Sequence, residues 1–295
     1  GVNADAFRTY CEKLEADGFK LHSHNEIEDS LFSTYIDSAK HIVLHVTYAA
    51  YKHAKEQNVT LFEPCLRIVA ADSDDVTILP TKLLSPDFSY KKVTETRLTA
   101  MRLDYRDDGE MYGNNYIITL EDGSFVVLDC GFSTAAHKTR LYNILADLYY
   151  QNFGKQPSAD SPITIAAWYM THGHGDHYST FMAFCESFGS KFKLESIIAN
   201  FTSDEECYNT YDPNNTVRDG YKSMANKTQG TTFYYKVHSG DVFYLRNLKM
   251  EVLYTHEDLY PQSLEYFNNS STVIRTTFLA TDGKGNQKGN GTSML

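Results

Sequence analysis

A chain of 295 residues, 42% hydrophobic and 22% charged, has the make-up of an ordinary soluble globule, with room for one large domain or two modest ones. Its net charge of -11 argues against broad electrostatic binding to nucleic acid or to anionic membranes, which depends on basic surface. No apolar run approaches the length of a membrane span and no signal peptide is visible, although the chain opens on Gly1, as it would if a leader had been removed. The cysteines Cys11, Cys65, Cys130, Cys185 and Cys207 are odd in number, scattered and free of any Cys-x-x-Cys pair, so they read as reduced thiols of a cytoplasmic protein.

In chain order, Phe7, Tyr10, Cys11 and Leu14 recur at helical spacing over residues 3–17, and Gly18 closes that helix. Alternating stretches at Phe19–Ile27, Ser30–Ile36, His41–Tyr51 and Thr60–Ala70 then predict four short antiparallel strands. Residues 1–75 thus read as a small α+β domain of unassigned role. Its histidines pair up, His22 with His24 and His41 with His45, and Lys20 and Glu26 share the first pair's face, so both pairs are expected on a solvated sheet face. Residues 76–92 break periodicity, with Pro80 and Pro86, and read as a linker.

The second domain, 93–295, starts with alternation over Thr94–Tyr105. A hairpin follows, with strands Tyr116–Leu120 and Phe125–Leu128 around the turn Glu121-Asp122-Gly123. A helix over Ala135–Gln151, capped by Ser133 or Thr134, precedes the apolar run Ile163–Met170, whose length and Pro-containing flank predict a buried strand. A helix-like stretch follows at Ser179–Phe188, then a strand at Leu194–Ala199, a polar loop at Thr202–Asn215 and a helix near Thr216–Asn226. Further strands are predicted at Thr232–Val237, Asp241–Tyr244 and Leu248–Tyr254.

Between the buried strand and its helix lies Thr171-His172-Gly173-His174-Gly175-Asp176-His177. In extended chain, residues two apart point the same way, so His172 and His174 can reach one ion together. Gly173 and Gly175 permit a sharp turn that swings Asp176 and His177 back toward the same point, where they can serve a second ion or Asp176 can hold an attacking water. Imidazole and carboxylate ligands suit zinc and also admit iron or manganese.

This segment resembles the His-x-His-x-Asp-His signature of the metallo-β-lactamase-fold hydrolases, matched at His172, His174, Asp176 and His177. The resemblance implies an αββα sandwich in which the two leading histidines hold one metal and the Asp-His pair the other, with a metal-bound hydroxide attacking an ester-type bond. Asp176 is then the catalytic residue. A strand running into Asp-x-Gly also opens that fold, so the resemblance casts Asp129, in Leu128-Asp129-Cys130-Gly131, as a prop for the metal loop, against an ordinary turn aspartate. The third histidine of the first metal corresponds to His256, at the end of the Leu248–Tyr254 strand, with His238 as its rival.

Asn268 to Arg275 (Asn-Asn-Ser-Ser-Thr-Val-Ile-Arg) resembles a strand of the DNA-uptake branch of the fold. That branch follows it with a Gly-Asp whose carboxylate bridges two metals and with a last histidine. Here Asp282-Gly283 reads as a loose turn, so the chain is expected to stop short of both, leaving a second metal with Asp176 and His177 alone. The function implied is a metal-dependent hydrolase of small molecules or phosphodiesters, the latter slightly favoured. The alternative is a non-catalytic metal-binding module for docking or sensing.

Overall fold

The computed structural model describes residues 2–50, 64–74, 76, 78–104, 113–201, 216–228, 230–255 and 267–295. Helix α1 (Ala4–Ala16) begins where Asn3 accepts the Ala6 N–H on its side chain at 3.1 Å, and it buries Phe7, Cys11 and Leu14. That stripe packs on Leu31, Tyr35, Leu44 and Val46 of an antiparallel sheet. The sheet runs in chain order through β1 (Lys20–Ile27), β2 (Ser30–Asp37), β3 (Ile42–Ala49) and β4 (Cys65–Asp72).

The solvated face expected for four histidines holds at His24 and His41, which are exposed, and fails at His22 and His45, which are partly buried. A bulge between Leu21 and Ser23 leaves His22 outside the cross-strand register and shifts the alternation on which that expectation rested. His22 donates from Nε2 to the Leu79 carbonyl at 2.8 Å, whereas His24 meets the Ser33 hydroxyl at 2.8 Å and lies beside the Phe7 ring. His45 stacks on His238, ring centroids 3.5 Å apart. The sheet therefore meets the rest of the molecule through His22 and His45.

Apart from a 3-10 turn at Thr81–Leu83, the described residues between β4 and β5 (Arg97–Ala100) are irregular. The central sheet contains β5, β6 (Tyr116–Thr119), β7 (Phe125–Leu128), β8 (Ile163–Met170), β9 (Phe192–Leu194), β10 (Ser196–Ala199) and β11 (Thr232–Tyr235). Its order is β11-β10-β8-β7-β6-β5, with β9 also beside β8. The strands from β7 to β11 are parallel, and β5 to β7 pair antiparallel.

Helices α2 (Ala135–Phe153), α3 (Gly175–Phe188) and α4 (Thr216–Asn226) cover one face, where Leu141, Leu145, Phe181, Phe184 and Tyr221 meet Val127, Trp168, Met170 and Ile197. The other face receives a second antiparallel sheet of β12 (Val242–Leu245), β13 (Leu248–Tyr254), β14 (Val273–Phe278) and β15 (Thr292–Met294). There Phe243, Leu248, Met250 and Val252 pack on Ile118, Val126, Tyr169 and Ile198. Helices, central sheet and second sheet make a mixed α/β architecture and are three layers of the expected αββα arrangement. A strand covered on both faces has no polar side, which is why Ile163–Met170 reads as an unbroken apolar run.

Glu121 at the β6–β7 turn, 1% exposed, ties three segments together. It accepts from Lys92 Nζ at 2.7 Å, Tyr90 OH at 3.0 Å and Thr281 Oγ1 at 2.5 Å, joining linker, hairpin and C-terminal loop. Burial pushes its pKa up, but those donors outweigh burial and hold it below the ordinary 4.5. A depressed carboxyl pKa stabilises the fold above the unfolded value and ceases to do so as pH falls through the folded value. Glu121→Gln should cost about 2 kcal/mol in urea unfolding at pH 7, because it removes the charged acceptor of three hydrogen bonds and leaves Lys92 with the exposed Glu95 alone. The gap to wild type should shrink below pH 4.5, and a gap independent of pH would show that the ion pair is not its source.

Candidate metal centre

The register Leu128↔Tyr169 brings the carboxyl ends of parallel β7 and β8 level, so Asp129 lies beside Thr171. Clefts beyond the carboxyl ends of parallel strands are where open α/β sheets bind ligands. Asp129 takes a left-handed backbone (φ 52°) and is 2% exposed. Its main-chain carbonyl accepts from Asn115 Nδ2 at 3.0 Å and Trp168 Nε1 at 3.1 Å. Its carboxylate accepts the Thr171 N–H at 2.9 Å, the Thr171 hydroxyl at 2.8 Å and the His177 Nδ1–H at 2.7 Å. The carboxylate thus ties the end of β8 to the last histidine of the motif.

Helix α3 begins at Gly175, four residues before the predicted stretch, so Asp176 and His177 occupy its first turn. The ring of His172 lies 4.0 Å from that of His177 and 5.5 Å from that of His174, centroid to centroid. Asp176 lies between the other two, 3.8 Å from His174 Nδ1 and 3.6 Å from His177 Nε2. The four motif side chains thus share one patch. Their donor atoms are not drawn to chelating distance as a set: among the described residues, three potential ligand atoms come within 4.8 Å of one another only at the exposed His41, Asp72 and Asp74.

The test of fit to a metal is His172. It is 4% exposed, its Nδ1 meets the Thr171 hydroxyl at 3.1 Å, and its buried Nε2 has no hydrogen-bond partner. A buried polar atom left unpaired is costly, and a metal ligand is one way to satisfy it. Burial, with His177 adding to it, pushes the His172 pKa down to about 4, so the ring is neutral and able to ligate near pH 7. Burial also disfavours a proton on His177, but the hydrogen bond and charge of Asp129 outweigh it and its pKa ends raised.

His256 lies outside the described residues, as do Cys207 and the polar loop at Thr202–Asn215. His238, the rival for its role, has its ring against His45. Asp282 is exposed and accepts from Lys284 N, Asn286 N and Asn286 Nδ2 within its own turn, as its reading as a turn residue implied.

Sequence reasoning missed the groups that hold this loop. The Cys130 thiol donates to the His177 carbonyl at 2.9 Å and accepts the Phe181 N–H at 3.0 Å, bridging one turn of α3. Gly113 lies so close to the loop that a Cβ on it would sit 1.8 Å from the Asp176 carbonyl oxygen. Thr272 donates both its N–H and its hydroxyl to the Thr171 carbonyl, each at 2.9 Å. Thr272 stood inside a segment already singled out, and Thr171 immediately before the first histidine, but neither residue type announces a role by itself.

No protein-family model matches the chain, and no curated protein matches it. Among solved structures, it is similar to a provisionally assigned metallo-β-lactamase from Thermotoga maritima, at 11% identity and a TM-score of 0.33, over 64% of this chain and 75% of that one. It is also similar to the metallo-β-lactamase GOB-18 from Elizabethkingia meningoseptica, at 16% identity and a TM-score of 0.29, over 70% of this chain and 61% of that one. At these values both are recorded as likenesses alone.

Asp129→Asn keeps the side chain's shape but replaces an acceptor with a donor facing Thr171 and His177. Loss of a group that orients metal ligands typically lowers affinity about 10–100-fold. Competition against a chromogenic zinc chelator should show a loss in that range, and affinity within twofold of wild type would remove Asp129 from the site.

Proposed function

We propose that the chain is a metal-dependent hydrolase acting on an ester-type substrate. The observation that carries the reading is the unpartnered, buried Nε2 of a neutral His172, set among His174, Asp176 and His177 over a carboxylate that orients the loop. His172 and His174, with His256, would hold the first ion, and Asp176 and His177 would serve a second. Bound there, a divalent cation would supply Lewis acidity and lower the pKa of its water toward about 7. Asp176, partly exposed in the first turn of α3, is suited to orient the attacking water and take its proton on a carboxylate oxygen. Zinc is the ion we favour, with manganese and iron as competitors for the same donor set.

For the substrate we favour a phosphodiester over a thioester or lactone. The support is the likeness of Asn268–Arg275 to the DNA-uptake branch, together with the position of Thr272, which joins that segment to the metal loop. Arg275 itself is committed elsewhere, to Glu251 and Glu28 at 2.8 Å each. An acidic chain favours small substrates over long nucleic acid.

Hydrolysis of a nitrophenyl phosphodiester or ester should stop on chelation and return with added zinc or manganese. Asp176→Ala should lower turnover by about 10²-fold or more with the circular dichroism spectrum unchanged. Metal uptake without turnover of any ester-type probe would favour a docking or sensing module instead. With only Asp176 and His177 assigned to a second ion, metal analysis should return nearer one ion than two; a firm two would mean that other residues ligate.

A further inference from the structure

The Thr171 hydroxyl stands between the carboxylate that props the metal loop and the imidazoles on it. Its oxygen lies 2.8 Å from Asp129 Oδ2, 3.1 Å from His172 Nδ1 and 3.4 Å from His177 Nδ1. A hydroxyl has one proton to give and lone pairs to receive with, and an ionised carboxylate can only accept. The Thr171 proton therefore goes to Asp129, and the oxygen is left facing His172 as an acceptor. For the 3.1 Å contact to be a hydrogen bond, His172 Nδ1 carries the hydrogen.

A neutral imidazole has one N–H and one lone pair, so the lone pair then falls on Nε2. That is the atom found buried without a partner. The opposite tautomer is disfavoured twice over: it would bury an N–H with nothing to accept it, and it would set two lone pairs against each other at Nδ1 and the hydroxyl. Thr171 has little freedom to escape this arrangement. Its N–H is held by Asp129 Oδ1 at 2.9 Å, and its carbonyl receives both donors of Thr272.

We propose that Thr171 is a positioning residue whose hydroxyl, oriented by Asp129, fixes His172 in the Nδ1–H tautomer and so presents Nε2 as the lone-pair donor of the metal site. The inference deepens the metal-site reading and rests on it only for the last step. The tautomer itself is a property of the metal-free protein.

Long-range proton–nitrogen correlation spectra of metal-free, ¹⁵N-histidine-labelled protein at pH 7.5, with His172 assigned by its loss in His172→Gln, test it directly. Wild type and Thr171→Ser should show the Nδ1–H pattern, whereas Thr171→Val, of the same shape without a hydroxyl, should show a mixture or the Nε2–H form. In chelator competition with zinc, Thr171→Val should bind about 10–100-fold more weakly and Thr171→Ser close to wild type. An Nε2–H tautomer in wild type overturns the proposal even if Thr171→Val does not fold. Thr171→Val with the Nδ1–H pattern and unchanged zinc affinity overturns it as well. A wild type that takes up no zinc, yet changes tautomer in Thr171→Val, sinks the metal reading while supporting the role given to Thr171.

Discussion

One buried carboxylate, Asp129, is what the histidine loop depends on. A charge removed from water is tolerable only when donors surround it, and here the donors are the Thr171 N–H, the Thr171 hydroxyl and His177 Nδ1–H. Satisfying Asp129 therefore fixes the backbone where β8 ends, the hydroxyl beside His172 and the ring of His177 in a single step. Its backbone sits at φ 52°, a conformation that is uncommon for residues other than glycine. Asn115 and Trp168, donating to its carbonyl, hold it there. Trp168 belongs to the helix-side core, where Phe181 and Phe184 meet its ring edge-on, so packing and the placement of the motif side chains are coupled through one indole.

The topology explains why the loop falls at this point. Parallel strands need a crossover, and the crossover after β8 is α3, whose first turn starts within the histidine motif. The strand end supplies Thr171 and His172, and the helix start supplies Asp176 and His177. Cys130 and Gly131, following Asp129, are stitched to the same helix: the thiol meets His177 and Phe181, and the Thr180 N–H meets the Gly131 carbonyl at 3.4 Å. Burial, with the charge of Asp129 adding to it, keeps that thiol protonated, as a donor to a carbonyl has to be.

Much of this was legible in the sequence, for identifiable reasons. Strand Ile163–Met170 and helix Thr216–Asn226 fall at their predicted limits, the first because a strand buried on both faces is apolar throughout. The start of α3 was read late, since Gly175, Asp176 and His177 show no apolar periodicity although Asp176 suits a helix N-terminus. Asn268–Arg275 was read as one strand, but its first part is a 3-10 turn and β14 begins only at Val273. The face of His22 was misjudged because a bulge is one unpaired residue with no fixed sequence signature in an otherwise alternating run. A hydroxyl's place in a network, as for Thr171 and Thr272, needs coordinates, whereas the clustering of the motif side chains at a strand end is legible from their spacing.

The misjudged histidines lead to the last connection in the structure. The N-terminal sheet grips the turn that precedes β12: Asn25 Nδ2 donates to the Gly240 carbonyl at 3.0 Å, His45 stacks on His238, and Gly240 lies so near Phe32 that a Cβ there would overlap the ring. That turn in turn holds the end of β13. Gly240 N donates to Val252 O at 2.7 Å, and Ser239 Oγ accepts the Thr255 N–H at 3.0 Å. Thr255 is the residue before His256, so a chain of short contacts runs from the N-terminal sheet to the neighbour of the third candidate ligand. Of the partners in that chain, His45 is the one whose charge matters most: burial, then His238, His22 and Arg67 beside it, all oppose a proton on its ring. A neutral His45 can lie flat on His238, whereas a charged one would press against those basic groups with Asp241 as the acidic neighbour across the same crevice. The N-terminal sheet is thereby held to the turn before β12 by a stacking contact that favours a neutral His45, which gives that residue a structural reason to be a histidine.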